Sequence, residues 1–209
     1  LGCDFGAVIS ASHNRFDDNG IKFFDRAGGK LADPLEEAIE TRLAEPSLTL
    51  ESAALGRAIR VDRERVLYQD FCAATLPTGM RLDGMKLVID CANGAAYKVA
   101  PRVLADLGAD IVPIGCSPNG RNINDGCGST DIALLKLTVA GVHAAAGIAL
   151  DGDGDRVVMV DHRGQSVDGD QLLYLLAKSR LASGELRGPV VGTVMSNLGL
   201  ELALAELGV

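Results

Sequence analysis

Asp151-Gly152-Asp153-Gly154-Asp155-Arg156 sets three carboxylates at alternate positions, with glycines between them and an arginine behind. Like charges this close repel one another unless a cation holds them. The glycines remove bulk and permit positive φ, so the backbone can curl and let the acids converge. Hard oxygen donors suit Mg²⁺ or Ca²⁺ and not a thiolate-seeking metal. A plain acidic surface turn has no need of three Asp and a trailing Arg. An EF-hand loop counted from Asp151 wants Gly at its sixth position and Glu at its twelfth, where this chain has Arg156 and His162. An aspartyl-phosphate transferase, with the first Asp as nucleophile, stays open on this loop alone. A separate phosphate-carrying residue is therefore sought elsewhere in the chain.

The second candidate is Ser10-Ala11-Ser12-His13-Asn14, which follows the apolar residues 7–9. A strand there would hold the Ser12 hydroxyl rigidly at a sheet edge, with His13 and Asn14 beside it for hydrogen bonding. A hydrolase triad is excluded, because there is no GxSxG elbow and adjacent Ser and His side chains on an extended segment point apart. A capped polar turn satisfies the same residues. Asn19-Gly20-Ile21-Lys22 adds a turn and a lysine that a hairpin could return to this loop. Taken together, a serine at a strand end and a three-Asp cation loop are the parts that phosphoryl transfer through a phosphoserine requires.

The elements that must position these loops alternate between strands and helices. Residues 147–150 and 157–160 read as buried strands on either side of the acidic loop. Residues 20–25 and 30–31 read as a hairpin closed by Ala27-Gly28-Gly29. Asp33-Pro34 starts a helix to about Leu43, with Asp33 as its cap, and residues 45–62 form a linker. Further helices are expected from Asp62 to Thr75, over residues 100–107, from a Ser129 or Thr130 cap to Ala146, over residues 169–181 and over 197–207. Further strands are expected over residues 86–90, 110–114 and 189–193. This order predicts an α/β fold, with mixed or mostly parallel sheets sandwiched by helices.

The 209 residues allow one large or two small domains, and 47% hydrophobic with 23% charged residues suits a packed core. A net charge of −8 argues against nucleic acid or an anionic membrane as the main partner. No apolar run is long enough to span a bilayer, and no basic signal region opens the chain. Five scattered cysteines without CxxC spacing read as reduced thiols in the cytoplasm. With no Trp and 4% aromatics, there is little material for a sugar- or base-stacking platform. The chain starts at Leu1 and stops just after a helix, so both ends are expected to be cuts through a larger protein.

The run from Ile9 to Asn14, followed by Asp18-Asn19-Gly20-Ile21-Lys22-Phe23-Phe24, resembles the phosphoserine loop of the α-D-phosphohexomutase superfamily. Asp151 to Arg156 resembles that superfamily's metal loop. Val88-Ile89-Asp90-Cys91-Ala92-Asn93-Gly94-Ala95, Asn122-Ile123-Asn124 with Cys127-Gly128, Val167-Asp168-Gly169-Asp170-Gln171 and Met195-Ser196-Asn197-Leu198-Gly199-Leu200-Glu201 resemble its bacterial branch that acts on glucosamine phosphates. The resemblance implies that Ser12 carries a phosphate, which completes a Mg²⁺ shell with Asp151, Asp153 and Asp155. It implies acid/base work for Lys22, an Arg156 contact to the phosphoserine region, and loop-shaping by His13 and Asn14. Transfer would run through a sugar 1,6-bisphosphate, interconverting glucosamine 6-phosphate and glucosamine 1-phosphate. Mannose or glucose phosphates, or a non-catalytic Mg²⁺-binding fragment, are the alternatives.

The superfamily usually has Pro after the Asn of this loop, where this chain has Arg15, which frees φ and adds charge. Its members have four domains. Residues 1–60 would be the end of the first, 61–165 the second and 166–209 the start of the third. Without the sugar-discriminating loop and the phosphate-clamping domain, the fragment alone is expected to be inactive. A homodimer of the full-length protein is implied by resemblance only.

Overall fold

The structure, a computed structural model, describes residues 2–61 and 63–209. It begins with an antiparallel hairpin of β1 (Phe5–Ser10) and β2 (Gly20–Asp25), in register from Phe5 opposite Asp25 to Ser10 opposite Gly20. The expected return strand at Lys30 shrinks to a single bridge with Phe24. Helix α1 spans Asp33–Leu43 as expected, but Ala32 occupies the cap position and no side chain caps it. Asp33 is already helical, so its carboxylate sits in the first turn, where the helix dipole favours it. Residues 45–61 hold no helix or strand beyond a short 3₁₀ turn at Ser52–Ala54. Helix α2 (Arg63–Ala74) follows, and the expected start at Asp62 lies outside the described residues.

The central sheet has the order β4-β3-β5-β6-β7. It comprises β3 (Lys86–Asp90), β4 (Asp110–Ile114), β5 (Ala146–Leu150), β6 (Val157–Asp161) and β7 (Ser166–Val167). β3 runs parallel to β4 and β5, while β6 and β7 add on antiparallel, which makes the sheet mixed. Both parallel connections use helices, α3 (Val99–Asp106) and α4 (Ala133–Val142), as parallel strands require. Val88, Leu135, Val139, Ala144, Ala149 and Val160 form the core between α4 and the sheet. Because β3 is buried, its sequence is a continuous apolar run and not an alternating one.

Two expectations about the helices and strands are corrected. Ser129 and Thr130 lie in a 3₁₀ turn, Ile132 precedes α4, and the helix ends where His143 turns left-handed at φ 52°. Ala146 already belongs to β5, since a strand pairing with β3 leaves no room for more helix. The strand expected over 189–193 does not form either. Its residues find no ladder partner among the described residues, and Val191 is 82% exposed. Helices α5 (Gly169–Ser183) and α6 (Leu198–Glu206) pack through Ala177, Leu200 and Leu204. The Asp168 carboxylate and Gln171 form a reciprocal capping box at the start of α5.

Candidate active site

The acidic loop links the end of β5 to the start of β6. Asp151 is fully buried, and its Oδ1 accepts the backbone N–H groups of Gly154, Asp155 and Arg156, each at 3.1 Å. That fan of donors folds the loop around one carboxylate oxygen. Its other oxygen, Oδ2, is buried with no hydrogen-bond partner. An unpaired carboxylate oxygen is costly away from water. Beside it, one carboxylate oxygen each of Asp151, Asp153 and Asp155 lies within 4.8 Å of the others. An orphan oxygen in a cluster of hard donors fits a divalent cation such as Mg²⁺. Burial pushes the Asp151 carboxyl above its usual range, with further upward pressure from Asp153 and Asp155. At Asp153 burial also pushes upward, but the hydrogen bond from Lys22 and the lysine's charge win and hold it low.

The loop after β1 comes to this cluster from the other side. Ser12 Oγ lies 3.2 Å from Asp153 Oδ1, and Lys22 Nζ lies 3.1 Å from Asp153 Oδ2. One carboxylate therefore joins the serine loop, the strand behind it and the acidic loop. The hairpin register makes this possible, since it sets Lys22 opposite Val8 on the strand that leads to Ser12.

Ser12 itself is left-handed, at φ 49°. That overturns the expectation that Ser12 and His13 point apart, which assumed an extended segment. With the chain turned at Ser12, His13 Nδ1 comes within 3.3 Å of the hydroxyl. Within the loop, the Ser12 N–H donates to Ser10 Oγ and the Asn14 N–H to the Ala11 carbonyl. Asn14 and Arg15 are exposed. Arg156 enters the site through its backbone only, and its exposed side chain makes no hydrogen bond or ion pair among the described residues.

Several supporting residues carried no role in the sequence. Asp90, fully buried at the end of β3, accepts the Ala92 N–H on one oxygen and the Gly128 N–H on the other. It thereby fixes the two loops that flank the site. Gly94 and Gly152 stand back to back, and a Cβ on Gly94 would overlap the Gly152 backbone. A Cβ on Gly152 would overlap the Ser12 carbonyl and Ile123. An acid ending an otherwise apolar strand, as in Lys86-Leu87-Val88-Ile89-Asp90, is the signal that could have exposed Asp90. The glycine pair left no comparable trace.

Comparison with known proteins agrees with this geometry. The chain matches the phosphoglucomutase/phosphomannomutase α/β/α domain I over residues 1–49, domain II over 67–164 and domain III over 168–209. It belongs to that family of phosphohexomutases. Among curated relatives, it is 58% identical over 204 residues to the phosphoglucosamine mutase of Photorhabdus laumondii and 57% identical to that of Erwinia tasmaniensis. Each alignment covers 98% of this chain and 46% of the relative, so the chain spans about half the length of the curated relatives it matches. Among solved structures, a putative phosphomannomutase from Thermus thermophilus superposes with a TM-score of 0.68 at 26% identity, over 88% of this chain and 42% of that one. A family protein from Burkholderia thailandensis shares the fold, with a TM-score of 0.64 at 24% identity over 87% and 38%.

Proposed function

We propose that the complete protein is a phosphoglucosamine mutase, an isomerase that moves a phosphoryl group between the 6- and 1-positions of glucosamine phosphate. The observation that carries the mechanism is the approach of Ser12 Oγ to Asp153 at the edge of the acidic cluster. The choice of sugar rests on the identity to relatives of that name. In this reading Asp151, Asp153 and Asp155, with a phosphate on Ser12, hold one Mg²⁺. When bound, that ion supplies Lewis-acid neutralisation of charge on the phosphoryl oxygens.

The chain's own residues do the rest. The phosphoryl group leaves Ser12 Oγ for a sugar hydroxyl, so one O–P bond breaks as the other forms and the hydroxyl loses its proton. The sugar bisphosphate then returns its other phosphate to Ser12 Oγ. His13 Nδ1 and Lys22 Nζ are the proton-carrying groups this chain brings to that oxygen and to its Asp153 partner. An Arg156 contact to the phosphoserine region belongs to the same reading and rests on the family resemblance alone.

Three domain units belong to the same proposal, and the family matches support them. Because β7 pairs with β6 in the central sheet, the third unit would begin near residue 168. No helix among the described residues is long and apolar enough to cross a membrane. A cytoplasmic site of action and a homodimer follow from the family reading alone. The test is Ser12→Ala in the complete protein, assayed on glucosamine, mannose and glucose phosphates. Turnover should vanish, and wild-type protein should favour the glucosamine phosphates and carry one extra phosphate mapping to Ser12. Unchanged turnover in Ser12→Ala would sink the mechanism, and a preference for another sugar would sink the substrate.

A further inference from the structure

Asn124 lies more than a hundred residues from the serine loop in sequence, yet it holds that loop in place. Its Nδ2 donates to the carbonyl oxygens of both Ser12 and Asn14, each at 2.7 Å. Those two short bonds use both protons of the amide and also settle which end of the side chain is nitrogen. The clamp is itself anchored, because the Asn124 N–H donates to the Ala92 carbonyl beside the end of β3. Asn124 is buried and left-handed at φ 54°, a conformation that Asn tolerates better than most residues. Its Oδ1 is buried without a partner. A buried amide that leaves its own acceptor unsatisfied while spending both donors on one loop is placed for that loop.

The loop needs such a clamp. Ser12 is a non-glycine residue in the left-handed region, and such a conformation persists only when its surroundings over-determine it. Ser12 is gripped at its N–H by Ser10 and at its carbonyl by Asn124, with Asn14 gripped two residues on. The bonds from Asn124 tie the backbone of this turn to the end of β3 through Ala92, while the Ser12 hydroxyl reaches the acidic loop through Asp153. We infer that Asn124 is a positioning residue, which fixes the left-handed turn at Ser12 and thereby sets the Ser12 hydroxyl against Asp153. The catalytic consequence rests on the phosphoserine reading above, whereas the clamp itself does not.

The variant that isolates the clamp is Asn124→Gly in the complete protein, since glycine keeps the left-handed backbone and loses only the side chain. Turnover of the sugar phosphate is expected to fall on the order of 100-fold, as misplacing a reacting group by about an ångström does, with KM within about threefold of wild type. A merely structural role would not split kcat from KM. Independently of activity, trypsin should cut after exposed Arg15 about tenfold faster, because cleavage tracks the population of the opened loop. If Asn124→Gly melts well below wild type, Asn124→Asp takes its place, having the same size and left-handed tolerance but no donors for the two carbonyls. Wild-type kcat and tryptic cleavage in a folded variant would overturn the inference. If Ser12→Ala is dead while Asn124→Gly is fully active, only the positioning role falls. If Ser12→Ala is itself active, the mechanism falls, and faster cleavage at Arg15 still upholds the clamp.

Discussion

β1 and β2, which carry the serine loop and Lys22, contain no buried residue, whereas β3 is buried from Leu87 to Asp90. Before Leu87, Ala11 is the only buried residue among those described, and it sits beside Ser12. The half that carries Ser12 is thus thin and held mainly where it docks, while the half that carries the acidic loop is built into a packed sheet. Hydrogen bonds and close contacts at the seam substitute for the core that the hairpin lacks. Strain in the site should therefore be relieved by the serine loop and not by the sheet.

Gly152→Ala tests that asymmetry most severely. The new methyl would overlap the Ser12 carbonyl and Ile123. Backbone on the sheet side is buried and the Ile123 side chain can turn, so the serine loop should give way. A stability loss of about 1–3 kcal/mol is expected from overpacking. Turnover should fall on the order of 100-fold as Ser12 is displaced. Hydrogen exchange should quicken over residues 10–15 and stay slow over residues 86–90. Quickened exchange in β3 with a quiet serine loop would invert the comparison.

Asp90→Asn probes the packed side. Asparagine keeps one acceptor for the Ala92 and Gly128 N–H groups and loses the other, at an expected cost of about 1–3 kcal/mol at pH 7 in urea unfolding. The pH dependence has a definite sign. Burial pushes the Asp90 carboxyl above its ordinary range despite those two hydrogen bonds, and Asp131 adds to the push. The folded protein therefore takes up this proton at a higher pH than the unfolded chain does. Asp90's contribution is least favourable above its folded pKa and improves as pH falls toward the unfolded value near about 3.9. Asparagine does not titrate, so the stability gap between wild type and Asp90→Asn should widen as pH drops. A gap that narrows would show that the ionised carboxylate is the favoured form in the fold.

The same contrast explains what the sequence disclosed. Strands at 86–90 and 110–114 were legible to the residue, and the one ending at Asp161 to within one residue, because apolar runs bounded by turns leave little choice of period or boundary. The acidic cluster was legible because three Asp at alternate positions have few other uses, whereas Ser12 stood out only when set beside it. What stayed hidden depends on partners distant in sequence or on backbone conformations without glycine. Residues 189–193 look like a strand until the absence of a ladder partner among the described residues is known. The two-residue β7 is too short to show a period. His143 ends α4 and Ser12 turns its loop with no glycine to announce either bend. Asn124 was visible as part of a family-like segment, but its reach to Ser12 and Asn14 belongs to the fold.

Arg15 gives the smallest and most selective test, because it touches the loose half alone. The loop was expected to gain φ freedom where the superfamily usually has proline. Arg15 nevertheless rests at φ −73° and ψ 164°, inside the range a proline ring would enforce. Its N–H makes no hydrogen bond among the described residues, so a ring at that position removes none. Its side chain gains little from Asp17, 3.9 Å away with both groups well exposed. Arg15→Pro should accordingly stabilise the complete protein by about 0.4–1 kcal/mol, by narrowing the unfolded ensemble without altering the folded loop. The gain should appear in denaturant unfolding, together with slower hydrogen exchange confined to residues 10–18. Destabilisation instead would mean that the residue before it, Asn14, needs a conformation that proline forbids its predecessor. The serine loop would then be held by its own turn more than by the seam with the sheet.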